Sequence, residues 1–265
     1  MTADAPGTDA RRRPPVVSFT VFELRRVLRT ASFLIWTLAF PVVFYLSSYA
    51  NPTNNSAANT RSWGVPWSVY FMVSMSAWAA IAAALNAGGG RLAAERASGW
   101  TRQLRLTPLP SWAYAVGKTL IGVGLALAAT MVLALVAEGA ARPDLPAVAW
   151  AELIAACWLG SLPFAALGIL LGLVTSSASA QAVLIAAMLV LNALGGLVVP
   201  LKAFPAWMDD VAHVLPTYHL GDLGWNIVAR RAFDPADVLV LAAYGVAFAA
   251  LAAWRYQADQ AWPLG

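Results

Sequence analysis

Residues Ala113–Ala137 read AYAVGKTLIGVGLALAATMVLALVA, twenty-five residues carrying one charge, Lys118. An α-helix rises about 1.5 Å per residue, so such a run spans the roughly 30 Å hydrocarbon core of a bilayer. The apolar residues do not alternate with period two and the run is too long for a barrel strand, so the segment reads as a membrane helix. Five further runs qualify: Phe33–Ala50, Pro66–Ala87, Ala151–Val174, Ala178–Pro200 and Val238–Trp254. The first and last are short and borrow flanking residues. Only Thr175, Ser176 and Ser177 separate the fourth from the fifth, which suits a tight helical hairpin.

Composition supports this solvent. Apolar residues make up 60% of the 265-residue chain and charged residues 11%, against about 25% charged in ordinary soluble domains. Mean hydropathy is +0.66. No long polar stretch divides the hydrophobic blocks, so the chain reads as one all-helical domain. The isoelectric point near 9.5 raises nucleic acid as a partner. Basic residues flanking apolar spans explain it better, and no nucleic-acid role is expected. With the N-terminus inside, twelve Lys and Arg fall in cytoplasmic segments and five outside. That bias orients the chain with both termini in the cytoplasm. Arg11-Arg12-Arg13 followed by Pro14-Pro15 does not resemble a signal peptide.

Two segments are neither spans nor plain loops. In Val16–Ala31 the residues Val17, Val21, Leu24 and Leu28 form one stripe, with Arg25, Arg26 and Arg29 elsewhere, as in an interfacial amphipathic helix. A helical extension of the first span is the alternative. Lys202–Arg231 is too polar to span and too aromatic for a free loop, and is expected as short helices at the outer interface.

Chemistry-bearing motifs are few. Gly117-Lys118-Thr119 lacks the glycine five positions earlier that a phosphate-binding loop requires, because position 112 is Trp. Lys118 is therefore expected to snorkel at the cytoplasmic end of its span. No ATP site, cofactor or metal site is expected in this chain. His213 and His219 are six apart, which is not one helical face, and Cys157 reads as packing. No ionisable residue lies mid-span, which argues against a proton relay. Gly168 and Gly172 make a GxxxG step for close helix contact. Asn192 is the single candidate for a substrate pathway.

The connection after the second span is the richest. Gly88-Gly89-Gly90 is expected to end a helix and Arg91 and Glu95 to pair at i,i+4 on the next; Gly99 weakens it and Pro108 and Pro110 close it. Glu95, Arg96, Gly99 and Arg102, then Leu104, Thr107-Pro108-Leu109 and Gly117-Lys118, resemble the membrane subunit of a type 2 ABC transporter. Pro205-Ala206-Trp207 followed by Leu215-Pro216-Thr217-Tyr218 resembles that family's segment before the last span.

The resemblance implies a permease of the cytoplasmic (inner) membrane. Residues 1–15 would be a disordered tail and 16–255 one transmembrane domain of six spans, with an elbow helix at 16–31, a coupling loop at 88–112, an outer segment of re-entrant or interfacial helices at 201–233 and a cytoplasmic tail at 256–265. It further implies a permease dimer, surrounding lipid and a separate ATPase subunit that binds the ATP, docked on Glu95, Arg96, Gly99, Arg102, Leu104, Thr107 and Pro108. The absence of mid-span charge suits an exporter of an apolar or amphiphilic substrate, such as a drug, antibiotic or lipid. A membrane-embedded enzyme and a non-transporting anchor or sensor are the rival readings.

Overall fold

The computed structural model describes residues 35–54, 64–99, 111–201 and 204–261. The expected elbow helix at Val16–Ala31 lies outside them, as do Arg102, Leu104, Thr107 and Pro108. Among the described residues every regular element is helical. A π-helical turn at Ile35–Ala39 leads into α1 (Phe40–Tyr49), followed by α2 (Trp67–Ala97) and α3 (Ser111–Ala140). Next come α4 (Ala147–Gly160), α5 (Leu162–Val174) and α6 (Ala180–Leu194). The short helices α7 (Ala206–Ala212) and α8 (Pro216–Val228) precede the final α9 (Pro235–Ala261).

Helix α2 is the axis of the bundle. It is apolar on every face, and 94% of its most hydrophobic window is buried, against 17% for α9. A helix without a polar face belongs inside. Its alanines, from Ala77 to Ala84, let neighbours come close. Helix α5 exploits this most: a Cβ on Gly168 would lie 2.3 Å from the Leu85 carbonyl oxygen, and one on Gly172 2.5 Å from that of Gly89. The GxxxG step therefore sets the α2–α5 separation.

Gly88-Gly89-Gly90 does not end a helix, contrary to expectation. Helix α2 runs through all three to Ala97. The triplet serves packing instead, since a Cβ at Gly89 would meet the Gly168 carbonyl at 2.6 Å. The helix ends where Gly99 adopts φ +74° and its N–H bonds the Arg96 carbonyl at 3.2 Å. That left-handed conformation is the usual helix stop and favours glycine.

Among the described residues, four helical stretches are long and apolar enough to cross a membrane: Trp67–Ala97, Tyr114–Ala140, Ala147–Val174 and Pro235–Ala258. The third bends at Ser161, where Pro163 removes a backbone donor. The hairpin expected after Val174 is present, turning over residues 175–179. The expected first and fifth spans correspond to shorter apolar helices, Thr37–Tyr49 and Ala180–Leu194. Helix α6 stops because Gly195 and Gly196 (φ +78°) turn the chain and α8 occupies the space beyond. There Thr217 Oγ1 donates to the Leu191 carbonyl at 2.7 Å. Trp225 stacks on Tyr70 at 4.9 Å and donates its indole N–H to the Tyr70 carbonyl at 3.3 Å. Residues 204–231 thus form short helices, as expected, and are anchored to the axis.

Candidate functional site

The last two turns of α2 carry Leu92 and Glu95 on the buried face continued from Gly88. Across from them, Tyr114 and Lys118 are i,i+4 neighbours and share one face of α3. Lys118 Nζ lies 3.1 and 3.2 Å from the two carboxylate oxygens of Glu95. The Tyr114 hydroxyl donates to Oε2 of the same carboxylate. The ammonium also sits 5.0 Å from the Tyr114 ring centre, within cation–π range. The side chains of Lys118 and Glu95 are 1% and 6% exposed.

Two expectations change here. Glu95 is not a solvated loop charge, because the unbroken α2 brings it to the interior face. Lys118 does not snorkel into water, because the Glu95 carboxylate already supplies its counter-charge. Lys118 and Tyr114 were not among the expected site residues. The signal for them is the i,i+4 spacing of a phenol and an amine in an otherwise apolar run.

Arg96 reaches the other way. Its Nη1 donates to the carbonyls of Gly172 (3.4 Å) and Leu173 in the last turn of α5. Unpaired carbonyls and a negative helix-dipole end make this a natural seat for a cation. The end of α2 is thus tied to α3 by Glu95 and to α5 by Arg96. Gly99 follows directly, and a Cβ there would meet nothing within 4 Å. The arrangement is a strut joining three helix ends.

Asn192 is not part of this assembly. It lies on α6 and is fully buried, with Nδ2 donating to the Met188 carbonyl at 2.6 Å. Its Oδ1 is buried with no hydrogen-bond partner among the described residues.

The opposite end of the bundle carries a second polar group. His219 on α8 places Nδ1 2.6 Å from Asp237 Oδ1 at the start of α9, and its Nε2 donates to the His213 carbonyl at 2.9 Å. Burial and the nearby Asp222 push the Tyr218 hydroxyl up to about 12. The charges also divide by end. Among the described side chains, Arg91, Arg96, Lys118 and Arg255 lie at the strut end with Glu95. Glu138, Asp144, Glu152, Asp209, Asp210, Asp222, Asp234 and Asp237 gather at the other with Arg142, Arg230 and Arg231.

Residues 64–254, from the approach to α2 through most of α9, match the ABC-2 family transporter protein domain. This chain belongs to the ABC-2 transporter family. A Bacillus subtilis (strain 168) protein named "Putative transport permease YvfS" is 28% identical over 248 residues, covering 91% of this chain and 97% of that protein. ABC-2 membership and the apolar helices make the chain a multi-pass membrane protein and a permease-type transport component. The match includes the whole strut, so Glu95, Arg96, Tyr114 and Lys118 all lie within the family domain.

Proposed function

We propose that this chain is the permease subunit of an ATP-driven exporter that moves an apolar or amphiphilic substrate across the cytoplasmic membrane. A separate ABC ATPase subunit binds and hydrolyses the ATP, and two permease copies form the pathway. The chain crosses six times, with α1 and α6 as the first and fifth crossings and both termini in the cytoplasm. The elbow helix at 16–31 lies on the inner surface and α7 and α8 lie at the outer one. The Lys and Arg concentrated at the strut end favour this orientation.

The observation that carries the reading is the strut. The segment from Gly99 to Pro110, with Arg102, Leu104, Thr107 and Pro108, forms the ATPase contact. It leaves α2 directly after the two turns that Glu95 and Arg96 fasten to α3 and α5. A push on that segment moves three helix ends together, because none can slide without breaking a charged contact, buried at α3 and partly buried at α5. Asn192 is the proposed pathway residue, its unpartnered Oδ1 offering an acceptor in an apolar wall.

Purification from native membranes tests the assignment. The chain is expected to bring down a nucleotide-hydrolysing subunit and to hydrolyse nothing alone. Arg102→Ala is expected to weaken that association without lowering helix content. Hydrolysis by the isolated chain, or recovery with no ATPase, would contradict the proposal.

A further inference from the structure

An apolar cavity of about 570 Å³ opens beside the strut, between α3, α5 and α9. Leu92, Ile169 and Leu173 line its floor, Lys118 one wall, and Ala249 and Ala253 the facing wall on α9. The volume is that of a small-molecule site. Along α9 the lining runs from Ala249 to Gln257, on the order of 12 Å of helix.

Three observations identify the occupant. First, the walls offer water little. Lys118 and Tyr114 already bond Glu95, and Thr119 Oγ1 donates to the Ala115 carbonyl at 3.0 Å; the other polar side chains of the lining, Tyr256 and Gln257, lie at the end of the cavity beside Arg255, whereas a buried water needs several polar partners. Second, the cavity faces sideways out of the bundle. Val116 beside it is 40% exposed, Ala249 and Ala253 are exposed, and nearby Leu251 is 50% exposed, so in a membrane its opening meets hydrocarbon. Third, the cavity ends at the basic end of the bundle. Trp254, 66% exposed, and Tyr256 bracket Arg255 there, the aromatic and basic pattern of a membrane–water boundary. A chain entering from the bilayer would leave its headgroup beside Arg255, in a region that attracts anionic lipid.

The geometry points to a resident lipid site: the cavity holds one acyl chain of an anionic phospholipid from the leaflet at the strut end, its tail against the Lys118 stem and Leu173. This goes beyond the proposed transport function and requires only that the chain sit in a bilayer. The lipid fills space against the outer side of Lys118 and Tyr114 and adds no bond to the strut.

The test uses the full chain in vesicles containing phosphatidylglycerol with a photoreactive diazirine midway along one acyl chain, with adducts mapped by mass spectrometry. Ile169 and Leu173, which are buried, are expected to label as strongly as the exposed Val246. Ala253→Trp, on an exposed position of α9, is expected to lower labelling at Ile169 and Leu173 about tenfold by excluding about two methylenes, leaving Val246 unchanged. Ala249→Trp, one turn away, provides a second variant with the same expectation. The same probe on phosphatidylcholine is expected to label the cavity less. Labelling confined to outward residues, or unaffected by both tryptophans, would overturn the site. Equal labelling from the two headgroups would overturn the anionic assignment.

Discussion

Lys118→Met is expected to cost about 3–5 kcal/mol of folding stability, because it leaves the Glu95 carboxylate buried without its counter-charge. The shape of Lys118 is nearly preserved by Met, so the loss isolates the charge. Glu95→Leu should be comparably damaging for the mirrored reason. The double variant Glu95→Leu/Lys118→Met is expected to recover most of the loss, since replacing both members of a buried pair by apolar groups is often neutral. Tyr114→Phe should cost about 1.5–3 kcal/mol, the range for a hydrogen bond to a charged group. Thermal unfolding in detergent measures all four. A Lys118→Met melting curve superimposable on the wild type would mean the pair is solvated and the strut does not exist.

Gly168→Val is expected to abolish accumulation of monodisperse protein. Its Cβ would sit 2.3 Å from the Leu85 carbonyl oxygen and about 3 Å from two further backbone atoms, Leu85 C at 3.0 Å and Leu85 Cα at 3.1 Å. Backbone cannot rotate aside as a side chain can, so α2 and α5 must separate. Overpacking generally costs about 1–3 kcal/mol, and separating two helices along a shared seam belongs at or above the top of that range. Gly172→Val and Gly89→Val should behave alike, because they occupy the same seam. Gly124→Val is the control: it lies in a span, is exposed, and a Cβ there meets nothing within 4 Å. Size-exclusion profiles of the four variants check the prediction; a normal Gly168→Val profile would place the α2–α5 contact elsewhere.

Much of the fold was readable because a bilayer leaves little choice of backbone: a long apolar run must satisfy its own hydrogen bonds as helix. That is why Ala113–Ala137 and Ala151–Val174 fall close to their helices. The failures lie where local signals compete with packing. Gly88-Gly89-Gly90 has the composition of a helix stop, but in a close-packed bundle the same residues are needed so that Gly168 and Gly172 can approach. Gly195-Gly196, by contrast, does end its helix, because α8 fills the space beyond it. The site was half legible. Glu95, Arg96 and Gly99 were selected, and the structure joins them at one helix end. Their environment was misjudged once the glycines were read as a break, since that moved Glu95 out of the buried face. Lys118 was weighed against the surface of its own span, with no means of seeing Glu95 across from it.

Transport in reconstituted vesicles tests the central claim most directly. The chain and its co-purifying ATPase would be placed in vesicles, with a fluorescent amphiphile and ATP both supplied only on the face that carries Arg96 and the strut. Movement of the amphiphile away from that face is expected only when both subunits and ATP are present, and to be lost with Arg102→Ala while the permease remains folded. Movement driven by the chain alone, or undiminished when the ATPase is left out, would contradict the account.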